Sequence, residues 1–444
     1  MAALLFASFN WAASSRDNFN NVELWSSLPP PQPFDASVAP SSLVWPPPRH
    51  LQVSGTPAPL AASFTITAAP RSGLLSTVQS GVLSAAVEKY SALVQRKVVS
   101  SKVSPPTASP VTAVHTLTID VDASESVSDV IGSATKYGYT LTYAGDGVVH
   151  ATAEGIYGAQ YAMESFVQLV SSTDATLAGD AITLRDVPMY AWRGLMLDAG
   201  RRFFPMPVVE NLLDTMAAAK LNVLHLHASD MCRFGVESKI YPNLTAALTG
   251  IHAGFYTQAD IAAMQVYAKK LGIRVVPEFD FPGHSRGYIP VSYGADGAEF
   301  CEPTASTRSQ LYGDPAGKTY KVVHDLMKEM SSLFEDEVFN IGCDETASKG
   351  PCTQQSTFGV ERKLFTAIAS EFGKTPEGWE EAYFDAQAAT SDTIINTWSR
   401  HTASEVTTLG RKVVESHSGA FYFTGAAPGG PAGWSKCWYV RLLC

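Results

Sequence analysis

From Trp192 onward the sequence repeats one pattern: a short, nearly continuous apolar run, then a segment with apolar residues at helical spacing. Strands are expected in "RGLMLDAG" from 193, "NVLHLHAS" from 222, "IRVVPEFD" from 273, "VFNIGCDE" from 338, "EGWEEA" from 377, "TIINTWS" from 393 and "KVVESHS" from 412. Between most of them lie amphipathic stretches such as "PVVENLLDTMAAAKL" and "TQADIAAMQVYAKKLG". Strands that are apolar on both faces and alternate with helices belong to a parallel sheet covered on both sides. The expected fold class is therefore α/β, with a closed (β/α)8 TIM-type barrel as the architecture. Seven strands are countable. An eighth is expected after about residue 425, where "GAAPGGPAGWSKCWYVRLLC" is rich in Pro and Gly, so the barrel reads as lacking its eighth strand.

The polar residues fall in a telling place. Asp198, Asp230, Glu278, Asp280, Asp344, Glu345, Glu380, Glu381 and Trp398 all stand at or just past the C-terminal ends of the expected strands. In a (β/α)8 barrel that rim carries the active site, whatever the chemistry.

Upstream, the texture differs. Residues 1 to about 60 are rich in Pro, Ala and Ser, which favours extended or loop-like chain. From Phe64 to about Leu184, strand-like runs ("SFTITA", "HTLTIDVD", "YTLTYAG", "GVVHATA") alternate with helix-like ones ("LLSTVQSGVLSAAVEKYSALVQ", "EGIYGAQYAMESFVQLV"). A sheet covered by helices on one face is expected there. The expected division is a signal-like, Pro-rich segment over 1–40, a small α+β accessory domain over 41–186 and the catalytic (β/α) barrel over 187–444.

A net charge of −10 with no basic, aromatic-interleaved cluster excludes nucleic acid as a partner. No stretch approaches the roughly 20 apolar residues that span a bilayer, so no membrane span is expected. The opening "MAALLFASFNWAASS" has the apolar run and small residues of a secretory signal without its basic start. Together with the acidic balance it points to a secreted or lysosomal/vacuolar setting, where the sequon at Asn243 would be open to glycosylation. None of the six cysteines, Cys232, Cys301, Cys343, Cys352, Cys437 and Cys444, forms a C-x-x-C pair, which disfavours a zinc site.

The segment "FNIGCDETA" places Asp344 and Glu345 side by side at a strand exit. Alternation along a strand would send them to opposite faces. At the exit, one can reach into the pocket while the other leans over its rim, and two carboxylates in different environments acquire different proton affinities. That suits glycoside hydrolysis, which needs a protonated acid at the leaving oxygen and a carboxylate beside an oxocarbenium-like centre. Adjacent residues are poorly spaced as acid and nucleophile, which flank the bond about 5 Å apart. They suit a substrate that supplies its own nucleophile, such as a 2-acetamido carbonyl. Asp344 would then orient the amide N–H and Glu345 would be the acid. The same pair also suits a helix N-cap followed by a first-turn acid. Trp379, Trp398 and Trp434 could wall a sugar pocket or belong to the core.

Several of these stretches resemble a known family, the glycoside hydrolase family 20 β-N-acetylhexosaminidases. The resemblance runs from about Trp45, in "VWPPPRHL", to about Tyr439, and is strongest in "WRGLMLDAGRRFFP", "KLNVLHLHASDMCRFGVES", "YAKKLGIRVVPEFDFPGHS" and "FNIGCDET". It implies substrate-assisted, retaining removal of terminal non-reducing β-linked N-acetylhexosamine (GlcNAc or GalNAc) from a glycan, with no metal and no cofactor. It also implies site roles. Arg201 would hold the sugar's 3- and 4-hydroxyls, Asp230 and His284 would flank Glu345, and His227 would share that polar layer. Trp379 and Trp398 would be pocket walls, and Tyr422 would bond the acetamido carbonyl. Cys301 and Cys352 resemble a disulfide pair joining loops beside the site.

There are departures from the family pattern. Cys343 replaces the second Gly of Gly-Gly-Asp-Glu, Leu226 replaces the aromatic between His225 and His227, and Phe423-Thr424 replaces the Leu-Asp or Leu-Asn after the tyrosine, whose polar group helps bind the sugar. The eighth strand's Gly-Gly-Glu is missing, which a truncated or mis-spliced chain would explain. Two other readings remain at this point: a catalytically impaired homologue that at most binds amino sugars, and a metal hydrolase using His225 and His227. Homodimer formation is left open.

Overall fold

The computed structural model describes residues 43–101, 112–122, 129–250, 253–292, 297–298, 317–346 and 354–422. The readings made at the N-terminal signal, at Cys301 and Cys352, at Trp434 and at the tail from Phe423 lie outside the described residues.

The first half of the chain forms a mixed sheet from β1 (His50–Ser54), β2 (Ala58–Ser72), β3 (Val114–Asp122), β4 (Tyr139–Tyr143), β5 (Val148–Ala153), β6 (Thr176–Leu177) and β7 (Ala181–Asp186). Their order across the sheet is β1-β7-β4-β5-β3-β2-β6, with only the β5-β3 and β3-β2 neighbours parallel. Buried and open positions alternate along β3, β5 and β7, as in a sheet with one covered face. The cover is α1 (Thr77–Ser100) and α2 (Ile156–Leu169). Ser76 and Gln79 close a capping box at the start of α1, and Val82, Leu83, Ala86, Tyr90 and Val94 supply its buried stripe. Residues 50–54, expected only as extended chain, pair with β7 through register His50↔Arg185.

The second half forms the parallel sheet β8 (Gly194–Asp198), β9 (Val223–Ser229), β10 (Arg274–Phe279), β11 (Val338–Asn340), β12 (Thr375–Trp379), β13 (Ile394–Thr397) and β14 (Lys412–Glu415). Each strand pairs with its predecessor, and all seven expected strands are present. With α3 (Met206–Ala218), α4 (Asn243–Ala246), α5 (Gln258–Lys270), α6 (Lys318–Leu333), α7 (Gln354–Ser370), α8 (Glu380–Phe384), α9 (Ala403–Thr408) and α10 (Ser418–Phe421), they build seven staves of a (β/α) barrel. Outward strand residues such as Leu224, Leu226, Val275, Phe279 and Phe339 pack on Val209, Leu213, Ile261, Met264, Leu326 and Leu364 of the helices. On the inner side Trp192, Val223, Val276, Val338, Ile394 and Val414 form one apolar cluster near the strand starts. A flat sheet could not bring these strands together, so the cluster marks the curl. Glu380 and Glu381 open helix α8 rather than ending a strand, because β12 stops at Trp379.

The two halves meet at the turn between α3 and β9. Lys220, 5% exposed, extends its ammonium to Tyr139 Oη at 2.7 Å, Ser165 Oγ at 2.9 Å and Asp186 Oδ2 at 3.5 Å. Tyr161 Oη donates to the Lys220 carbonyl at 2.9 Å, and Gln160 Nε2 donates to the Lys270 carbonyl at 2.8 Å.

Candidate active site

Strand register sets the floor of the site. Asp198 lies beside His227, His227 beside Glu278, Glu278 beside Asn340 and Asn340 beside Glu377. Five neighbouring strands thus present one continuous polar row toward the inside, at the level where the strands end. Glu278 is its hub and has no exposed surface. Its Oε2 takes His225 Nε2 at 2.7 Å, and its Oε1 takes the indole N–H of Trp379 at 2.7 Å. His227 Nδ1 stands 2.8 Å from the same Oε2, as an ion-pair contact off the angle of a hydrogen bond. Burial disfavours the Glu278 charge, yet His227 and His225 outweigh it and hold the carboxyl well below its ordinary range.

Above the row, His227 Nε2 meets Asp230 Oδ2 at 2.9 Å. Arg201 bridges Asp198 Oδ2 at 2.7 Å and Asp230 Oδ2 at 2.8 Å, so the guanidinium is fixed by two carboxylates from neighbouring strand ends. Asp230 continues to His284, whose Nδ1 lies 3.5 Å from Asp230 Oδ1. Burial would raise the Asp230 carboxyl, but hydrogen bonds from His227 and His284 and the Arg201 charge depress it strongly.

His284 Nε2 then reaches Glu345 Oε2 at 3.1 Å and Asp344 Oδ2 at 3.6 Å. Burial alone would lower the imidazole, but the charges of Asp344 and Asp230 and the hydrogen bonds to Asp230 and Glu345 hold it at about 10, so it is an imidazolium at neutral pH. Asp344 is raised, first by burial, with the His284 charge opposing. Asp280, behind it, is raised well above the ordinary carboxylate range by burial and by the Asp344 and Glu278 charges.

The backbone explains how neighbours on one chain reach one imidazole. β11 ends at Asn340, and Gly342, Cys343 and Glu345 take φ of 69°, 73° and 45°. These left-handed residues break the strand alternation that would have separated Asp344 from Glu345. Gly342 is required there, since a Cβ would lie 1.9 Å from Asp280 Oδ1. Glu345 is the more open of the two, with its side chain 33% exposed against 17% for Asp344. The helix-cap alternative is excluded, because no helix begins at this pair.

The structure thus brings together Arg201, His227, Asp230, His284, Asp344 and Glu345. Trp398 and Tyr422 form a second group, with rings stacked at 6.5 Å between centroids and 16° between planes. Burial, then the charges of Asp344 and Glu278, pushes the Tyr422 phenol up, which places it in the field of the same carboxylates. Trp379 is 5% exposed and stacked on His225, so it forms part of the floor more than an open wall. His225 and His227 both spend themselves on Glu278 rather than facing a shared open point. Among the described residues, three groups of ligand-type side chains lie close enough to hold an ion: His227, Glu278 and Asp280; Asp230, Asp280 and His284; and His284, Asp344 and Glu345. In each, a histidine is already committed to a carboxylate.

Sequence reasoning flagged Glu278, Glu380 and Glu381 as strand-end acids but gave them no task. Their partners come from distant strands, which spacing along the chain does not reveal. Cys232 is disulfide-bonded, a bridge the sequence reading did not assign, while Cys343 is a buried free thiol.

Residues 190–439 match the family model for the glycosyl hydrolase family 20 catalytic domain, and residues 44–169 match a beta-acetyl hexosaminidase-like model. Among curated relatives, beta-hexosaminidase subunit A2 of Dictyostelium discoideum is 38% identical over 197 residues, 44% of this chain and 35% of the relative. Beta-hexosaminidase subunit beta of Entamoeba histolytica is 31% identical over 314 residues, 64% of this chain and 54% of the relative. The chain thus spans about half the length, or less, of these relatives. In fold it is similar to a GH20 exo beta-N-acetylglucosaminidase from Vibrio harveyi solved in complex with N-acetylglucosamine, with TM-score 0.66 at 21% identity over 88% of this chain and 63% of that one.

Proposed function

Since the chain belongs to glycosyl hydrolase family 20, we propose that it removes terminal non-reducing β-linked N-acetylhexosamine from glycans by a substrate-assisted, retaining mechanism. The observation that carries this reading is the pair Asp344 and Glu345, both turned toward the His284 imidazolium.

In this mechanism Glu345, the more open carboxyl, gives its proton to the glycosidic oxygen as the C1–O bond breaks. The acetamido carbonyl oxygen of the sugar attacks C1 from the other face and closes an oxazolinium ring. Asp344 accepts the amide N–H and offsets the positive charge that grows on it. Water then adds to C1, Glu345 takes back the proton, and two inversions leave the β-anomer. His284 and Asp230 hold Glu345 in place. Arg201, fixed by Asp198 and Asp230, directs its guanidinium to the ring hydroxyls, and Tyr422 donates to the acetamido carbonyl. Trp398 and Tyr422 offer aromatic faces to the pyranose, with Trp379 supporting the floor.

No helix among the described residues is long and apolar enough to cross a membrane. A secreted or lysosome-like compartment suits the protein, and the signal-like opening of the sequence supports it.

The test is chromophore release from an aryl β-N-acetylglucosaminide by wild type and by Glu345→Gln, with proton NMR of the first-formed anomer. Loss of general acid catalysis should lower kcat by about 1000-fold with the fold intact. Activity that survives the substitution, or an α-anomer as first product, would sink the mechanism.

A further inference from the structure

We propose that Glu380 and Glu381 clamp Trp398 at two points, and that Glu381 is the positioning residue that sets the indole plane against Tyr422. The clamp itself stands on geometry. Its effect on sugar binding rests on the hydrolase reading above.

Trp398 sits just past β13, on a turn that would be free to move if only its neighbours along the chain held it. Three backbone N–H groups of that turn converge instead on the Glu380 carboxylate, which has no exposed surface. Arg400 N–H donates to Oε1 at 2.7 Å, while His401 and Trp398 N–H donate to Oε2 at 3.1 and 3.3 Å. A carboxylate that receives several N–H donors is a rigid anchor. The far end of the same tryptophan is held by the next residue, because its indole N–H lies 3.3 and 3.2 Å from Glu381 Oε1 and Oε2. With backbone and indole both fixed, neither side-chain torsion of Trp398 can change without breaking a bond. The ring is thereby kept within 16° of parallel to Tyr422.

Acids in a first helical turn commonly serve their own helix dipole. Here both carboxylates reach across to the β13 loop, and α8 has no side-chain cap bond at Trp379. The groups facing Glu381 are Asp344 and Cys343 from the loop after β11, Glu380 from its own helix, and Arg400 from the loop after β13. Burial first, then the Asp344 charge, hold the Glu381 carboxyl up at about 8. Around neutral pH it is mostly protonated and accepts the indole N–H without adding a second negative charge near Asp344. Above that pH the acceptor becomes a carboxylate.

The experiment is an indole 15N–1H pH titration of the full chain, with the Trp398 resonance assigned by its loss in Trp398→Phe, beside steady-state kinetics on the aryl β-N-acetylglucosaminide. The expected outcome is a Trp398 resonance that titrates with a midpoint near 8 in wild type and does not titrate in Glu381→Gln. Glu381→Leu, which removes the acceptor, should raise KM about tenfold with kcat changed less than about threefold, and Glu381→Gln should restore KM to within about twofold. A wild-type resonance that is flat from pH 6.5 to 9.5 would overturn the proposal even if Glu381→Leu does not fold. So would an unchanged KM in a folded Glu381→Leu. A titrating resonance in a chain without hydrolysis would uphold the clamp and remove the hydrolase reading instead.

Discussion

His284 and Glu345 approach within 3.1 Å, and both do so from left-handed backbone, at φ of 50° and 45°. Each such conformation costs about 1 to 2 kcal/mol for a residue other than glycine. Two of them facing each other across a hydrogen bond mean that the surrounding loops dictate where the proton-bearing groups stand.

Gly283 makes that approach feasible, since a Cβ there would lie 2.5 Å from the carbonyl oxygen of Asp344. Gly283→Ala should destabilise the protein by about 2 kcal/mol and lower kcat more than it raises KM, because Glu345 is displaced. Urea unfolding and steady-state kinetics read both effects. Gly359→Ala is the matched control: a Cβ there meets nothing within 4 Å in α7, and no loss is expected. Equal behaviour of the two variants would refute the close-packing account.

The His284 imidazolium links stability to pH. Its folded value of about 10 lies above the ordinary 6.5, so its contribution is complete below pH 6.5 and is lost as pH rises through 10. Asp230 acts in the opposite range: its depressed folded value gives a contribution present above the ordinary carboxylate range and lost in acid. Unfolding free energy from denaturant titrations should therefore decline between pH 6.5 and 10, and His284→Gln should flatten that decline. A wild-type profile level across the window would rule out the charged histidine.

Lys220 is a buried cation between the two halves of the chain. Lys220→Met leaves Asp186, 8% exposed, without its charge partner and should cost about 3 kcal/mol. Adding Asp186→Asn should recover part of the loss. Thermal unfolding of the single and double variants decides it, and a single variant as stable as wild type would count against the ion pair.

Trp379 reaches Glu278, and Trp379→Phe keeps the stacked ring over His225 while removing the indole donor. One oxygen of a fully buried carboxylate is then unsatisfied, worth about 2 kcal/mol of stability. The reading fails if the melting temperature of Trp379→Phe matches that of wild type.

Much of this was legible in the sequence for a definite reason. Parallel strands buried on both faces appear as apolar runs, and "NVLHLHAS" shows even its inward histidines and outward leucines as alternation. The rim carboxylates followed from those strand ends. The turn that brings Asp344 and Glu345 to one imidazole was hidden, because the left-handed conformations of Cys343 and Glu345 are imposed by packing rather than by residue type. Glu278, Glu380 and Glu381 were visible as acids, but their partners Trp379 and Trp398 depend on which strands become neighbours in the curl. The β1–β7 pairing was equally hidden, since its register joins residues more than a hundred positions apart.

The one-by-one order of β8 to β14 also governs how the molecule can come into being. Each new strand docks only on the one before it, so a chain emerging from a ribosome can lay down the sheet in the order of translation, without waiting for a distant partner. The residues of the site emerge in the same sequence, with Arg201 near the start and Tyr422 at the last described position. The scaffold can thus be largely assembled while the pocket still lacks its final aromatic face.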